Sequence, residues 1–138
     1  MKKIITLTVV LLLAGSSFAT TQEKVKNPIQ AYWDTFKTAV TKRDMDTIAR
    51  LSQFPIEMSY GIPPIRTKAQ LAKRYKQIFN EQTDAAACFA KAKPEVDTSA
   101  SSQSSVACPD AAGNEVVIYH FKYTKTGWKF VGLDNLNE

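Results

Sequence analysis

Residues 115–134, EVVIYHFKYTKTGWKFVGLD, decide the fold of this chain. Side-chain alternation on either side of Thr124-Lys125-Thr126-Gly127 predicts two strands folded back on each other through that turn. With the turn closed, Tyr123 faces Trp128, Phe121 faces Phe130 and Tyr119 faces Gly132, so five aromatic rings gather on one side. The opposite side carries Val116, Ile118, His120, Lys122, Lys129, Val131 and Leu133. A strand pair with one wet face alternates apolar and polar residues, whereas a pair that is largely apolar on both faces needs cover on both. The chain's own helices are expected over the rings, and a partner over the other face.

The segment before this hairpin predicts that helical cover. Asn27-Pro28 reads as a helix start, because Asn caps the first amides and Pro lacks an amide to leave unpaired. Ile29, Tyr32, Trp33, Phe36 and Val40 then recur at spacings of three and four, an apolar stripe on a helix from about Pro28 to Lys42. Asp44 opens a second helix with Met45, Ile48, Ala49 and Leu51 on one side, and Phe54-Pro55 ends it. Ile56, Met58 and Tyr60 alternate with Glu57 and Ser59 as a short strand, and Gly61 to Pro64 turns the chain.

Thr67 and Gln70 form a capping box for a third helix that buries Leu71, Tyr75, Ile78 and Phe79. Lys68, Lys73, Arg74 and Lys76 decorate its remainder as a solvated face, with a grip on an acidic partner as the alternative. Residues 84–93 read equally as a short helix carrying Cys88 or as an edge strand paired with Ser104 to Cys108. The Ser-rich segment Asp97 to Ser105 reads as a surface loop, Val106 begins a strand that Pro109 stops, and Asp110 to Asn114 turns into the hairpin.

The amino terminus supplies an address. Lys2 and Lys3 precede an apolar run from Ile4 to Ala14, followed by small residues through Ala19, the pattern of a secretory signal peptide over residues 1–19. The run is too short for a membrane span, which takes about 20 apolar residues, and no cysteine sits beside the cleavage site to take a lipid anchor. Residues 20–138 are expected to form a single domain in the periplasm or outside the cell. Without Lys2 and Lys3, 16 basic residues face 13 acidic ones, a charge of about +3, and no basic stripe interleaved with aromatics argues for nucleic acid. Cys88 and Cys108, in an oxidising compartment, are expected to form a disulfide. A single histidine, His120, is too few for a zinc site, so neither metal nor cofactor is expected.

Three helices, a short strand between the second and third, and a carboxyl-terminal meander of strands make an α+β order. On Tyr32, Trp33 and Phe36 of the opening helix, Phe54-Pro55, Ile78-Phe79 and the closing Gly127-Trp128-Lys129-Phe130-Val131-Gly132-Leu133-Asp134, the chain resembles the nuclear transport factor 2-like (NTF2-like), or cystatin-like, superfamily. The resemblance covers nearly the whole mature chain. It implies a curved, mainly antiparallel sheet wrapped around a long helix to make a cone, which in some members is a ligand pocket or active site. In others the outer sheet face is a dimer or partner interface.

Isomerases and dehydratases of that resemblance place an acid or histidine base inside the cone, for which His120, Asp34, Tyr60 and Tyr119 are the available pieces. Alternation puts His120 with Lys122 and Lys129, a like-charged pair that belongs in water, so these residues are assigned to the outer face. The expectation is therefore a protein that is not an enzyme. It binds another protein or a second copy through Val116, Ile118, His120, Lys122, Lys129, Val131 and Leu133. An immunity or inhibitor protein is one concrete role, and a small-ligand pocket lined by the five rings is the alternative.

Overall fold

The computed structural model describes residues 28–59, 61–97 and 100–135, with the backbone alone of Glu115 and Val116. The expected signal peptide over residues 1–19, Asn27 and Tyr60 lie outside the described residues. In chain order the elements are α1 (Gln30–Lys42), α2 (Met45–Arg50), β1 (Ser52–Met58), α3 (Lys68–Lys73), α4 (Tyr75–Phe79), α5 (Ala85–Lys91), β2 (Glu95–Val96), β3 (Gln103–Pro109), β4 (Glu115–Thr124) and β5 (Gly127–Asn135). The strands form one sheet in the order β1-β5-β4-β3-β2, antiparallel except where β1 runs parallel to β5. The helices cover its concave side, an α+β architecture.

The periodicities decide the elements, and several local details differ from expectation. Helix α1 begins at Gln30, two residues later than the Asn-Pro signal suggests, with Ile29 at the cap and no side chain closing it. It ends at Arg43, whose backbone sits in the left-handed region at φ 53° and returns its amide to Ala39 and Val40. Asp44 caps α2 by accepting from the Thr47 amide, and the Thr47 hydroxyl and amide together hold its carboxyl below the usual carboxylate range. The capping box is half realised. Gln70 donates its amide to Thr67 Oγ1 at 3.1 Å, but its side chain reaches the amide of Arg66, one residue beyond the cap. The expected third helix is broken at Arg74 into α3 and α4, and Arg74 donates to the Pro63 carbonyl and to Gln77.

Phe54-Pro55 does not end a helix. It lies inside β1, in a cis peptide, and the irregularity of the β1–β5 pairing between Ser52 and Glu57 accommodates a residue with no amide to donate. The open choice over residues 84–93 resolves as helix α5, because Asp84 accepts from the Ala87 amide as a cap and Ala85 and Phe89 are buried on one side. The Ser-rich segment is less of a loop than its composition suggests. β3 starts at Gln103, and the buried Ser104 donates to the Glu95 carbonyl across the β2–β3 pair, so its hydroxyl is satisfied without a large side chain.

The core is aromatic. Phe36, at the middle of α1, lies with its ring centroid 5.3–6.4 Å from those of Tyr32, Trp33, Phe79, Phe89, Phe121 and Phe130, in stacked, tilted and edge-on arrangements. Four rings of the hairpin, Tyr119, Phe121, Trp128 and Phe130, are buried against the helices as the alternation requires, while the fifth, Tyr123, is 41% exposed at the open end. The Cys88–Cys108 disulfide ties α5 to β3 across a separation of 20 residues. Closing a loop of that length is worth about 3 kcal/mol in the chain-entropy model. Reduction, or the Cys88→Ser/Cys108→Ser pair of substitutions, should therefore lower the free energy of unfolding in urea by about that amount. An unchanged midpoint would mean that the reduced, unfolded chain is already held near this geometry.

Candidate functional site

The hairpin contains one departure from strict alternation, and it reorders the site. Phe121 pairs with Phe130, but His120 pairs with Gly132, so β5 spends one extra residue, Val131, in a bulge. Tyr119 consequently faces Leu133, not Gly132. Beyond the bulge every side chain changes face: Leu133, expected outside, is turned into the core and is only 7% exposed, while Asp134 comes to the outer face opposite Ile118. A Cβ on Gly132 would lie 3.3 Å from the Glu57 carbonyl oxygen of β1, so the close approach of β5 to β1 favours glycine there. That glycine inside a strand pattern was the available sign of a bulge, and with it of Asp134.

On the outer face Asp134 meets His120. The ring Nε2 lies 2.8 Å from Asp134 Oδ2, with the two side chains 39% and 50% exposed. A carboxylate has no proton to give, so Nε2–H donates and Nδ1 remains as the ring's second polar atom. Around this pair Ile118 and Val131 are half-buried, and Ser105 of β3 is the direct cross-strand neighbour of His120. A groove of about 350 Å³ opens beside the ring, lined also by Glu95 and Val96 of β2 and by Gln103 and Ser105 of β3. Lys122 and Lys129 are cross-strand neighbours, as the alternation implies. Lys129 reaches away to the Arg50 carbonyl at 2.7 Å, at the carbonyl end of α2, which relieves the like-charge contact. Ile118, His120, Lys122, Lys129 and Val131 thus share the outer side, Leu133 does not, and the side chain of Val116 lies outside the described residues.

The residues weighed for chemistry inside the cone are not brought together. Asp34 is on the exposed side of α1, where an ion pair with Lys37 and a hydrogen bond from Gln30 hold its carboxyl below the usual range. Tyr119 is buried and donates its hydroxyl to the Ile78 carbonyl at 2.8 Å; Tyr32 does the same to Leu51, and Tyr75 to Val40. Burial pushes all three phenols above the ordinary tyrosine range, because the charged form loses its hydration. A folded-state pKa above the unfolded one contributes stability below about pH 10 and loses it as pH rises through that region, since the unfolded phenols release protons that the folded ones keep. Alkaline titration at 295 nm should show these phenols ionising together with unfolding. Their ionisation in a chain that keeps its folded dichroism would contradict the buried placement. Among the described residues no cluster of three or more His, Cys, Asp or Glu is arranged to hold a metal ion, and no helix is long and apolar enough to cross a membrane.

The described residues thus form one five-stranded sheet covered by helices, the α+β order that the sequence predicts. No family model matches the sequence, and no curated protein does. Solved structures do match in fold. A ketosteroid isomerase-like protein from Erwinia carotovora atroseptica is 17% identical and aligns over 76% of this chain and 89% of its own, with a TM-score of 0.43. A protein from Streptomyces avermitilis, provisionally named a dehydratase of the NTF2-like family, is 15% identical over 80% of this chain and 95% of its own, with a TM-score of 0.42. LinA is 15% identical over 79% of this chain and 87% of its own, with a TM-score of 0.41. The expectation that the chain is not an enzyme does not stand, since the matched structures carry enzyme-type names.

Proposed function

We propose that this protein binds a small polar ligand on the outer face of its sheet, in the groove beside His120, with the imidazole as the hydrogen-bonding or acid–base group that engages it. The observation that carries this reading is the 2.8 Å contact of His120 Nε2 with Asp134, which orients the ring beside the groove and leaves Nδ1 for a ligand. The aromatic interior argues against the five rings as a ligand lining, since four of them are consumed in packing. The ketosteroid isomerase-like and dehydratase names of the fold neighbours are of the same small-ligand kind, but the position of the site rests on this chain's own side chains. The oxidised Cys88–Cys108 pair supports an oxidising address, the periplasm or the exterior.

The test is a thermal-shift survey of small hydroxylated and amino compounds against the wild type, His120→Gln and Asp134→Asn. Compounds that raise the wild-type melting temperature should lose that effect in both variants. Stabilisation that survives His120→Gln unchanged places the ligand elsewhere.

A second reading is favoured by Ile118 and Val131, half-buried apolar side chains on the same face as the His120–Asp134 pair. They offer contact area to another protein or a second copy of the chain, with His120, Lys122 and Lys129 as polar neighbours. Size exclusion of Val131→Asp distinguishes it: an associated wild type becomes monomeric in the variant, and a wild type already monomeric rules out self-association. The narrower role of an immunity or inhibitor protein has no observation in its favour here.

A further inference from the structure

We propose a second binding site, for a small oxyanion, in the cleft where the end of α1 meets α4 and the start of α5. This cleft, of about 550 Å³, is lined by Thr41, Arg43, Tyr75, Lys76, Asn80 and Asp84, away from the outer sheet face. Its two cations, Arg43 and Lys76, make no ion pair: among the described residues the ion pairs are Lys37–Asp34, Lys68–Asp46 and His120–Asp134.

Arg43 is nevertheless held in place. Its guanidinium carbon lies over the Tyr75 ring, 5.6 Å from the centroid, and that ring is fixed by the bond from its hydroxyl to the Val40 carbonyl at 2.7 Å. The Arg43 backbone, at the left-handed end of α1, is bonded back to the same helix. A guanidinium anchored through a ring keeps its N–H donors for a carboxylate or phosphate, loses less freedom on binding than a mobile side chain does, and has a second cation at Lys76 and an amide at Asn80 beside it.

Asp84 is the opposing charge in the cleft. Its Oδ1 accepts from the Ala87 amide as the cap of α5 and it makes no ion pair with Arg43, but its charge weakens the field that an incoming anion meets. This makes a signed prediction. Asp84→Asn keeps a good capping side chain while removing the repulsion, and binding should tighten.

The experiment is a titration of the isotopically labelled full chain with inorganic phosphate and, separately, with acetate, followed by amide and arginine side-chain resonances. Saturable shifts are expected at Arg43, Lys76 and Asn80, with the two anions distinguishing a phosphate site from a carboxylate site. Arg43→Gln should weaken binding about tenfold or more, as expected for losing a charge-assisted hydrogen bond. Lys76→Gln should weaken it less, Asp84→Asn should strengthen it, and Lys125→Gln in the hairpin turn should leave it unchanged. The proposal is overturned if neither anion produces a saturable shift, or if Lys125→Gln weakens binding as much as Arg43→Gln, which would mean diffuse attraction to a basic surface.

Discussion

Phe36→Ala is expected to lower the stability of the folded chain by about 3–5 kcal/mol, the range for truncating a large buried aromatic residue. Phe36 is fully buried and its ring meets rings of α1, α4, α5 and both hairpin strands, through Trp33, Phe79, Phe89, Phe121 and Phe130. Removing it leaves a void bordered by side chains from elements that cannot all close in at once, because the sheet is held by its ladders and α5 by the disulfide. Chemical denaturation is the measurement. A cost below about 1 kcal/mol would show that the rings repack around the gap, and that the core is less specific than these contacts imply.

Leu133→Asp should be at least as damaging, and Val131→Asp nearly harmless, although the residues are two apart in one strand and strict alternation would put them on the same face. Leu133 is 7% exposed against Tyr119, and a carboxylate there either stays charged in an apolar setting or is neutralised at the expense of stability, in addition to the lost packing. A loss of more than about 4 kcal/mol, or failure to fold, is expected. Val131 bulges on the half-exposed side, where substitution should cost within about 1 kcal/mol. Urea melts of the two variants read this directly. Equal stabilities would mean that β5 runs without a bulge and that Leu133 faces water.

These two experiments separate what periodicity can say from what it cannot. The apolar stripe of Trp33, Phe36 and Val40 and the alternation of Tyr119, Phe121, Trp128 and Phe130 are strong local patterns, and each places its residues in the core as read. Cys88 and Cys108 pair as the compartment argument expects. Alternation also puts His120 outside the cone correctly. It stops being valid at Val131, where one extra residue changes the face of everything after it, so that Leu133, expected on the outer face, turns into the core and Asp134 reaches His120. The cleft at Arg43 is illegible in the sequence for another reason: Arg43, Tyr75 and Asp84 belong to the ends of three different helices, and no spacing along the chain reports that the helices converge.

The sequence by itself determined the helical and strand periods, the closing hairpin, the disulfide and the α+β order, because each depends on residues near one another in the chain or on a pair with no competitor. Only the tertiary structure decided that His120 is held by Asp134 and that Arg43 rests on Tyr75. Both depend on how one strand slips against its neighbours and how helices meet, and such contacts are set by the packing of the whole core.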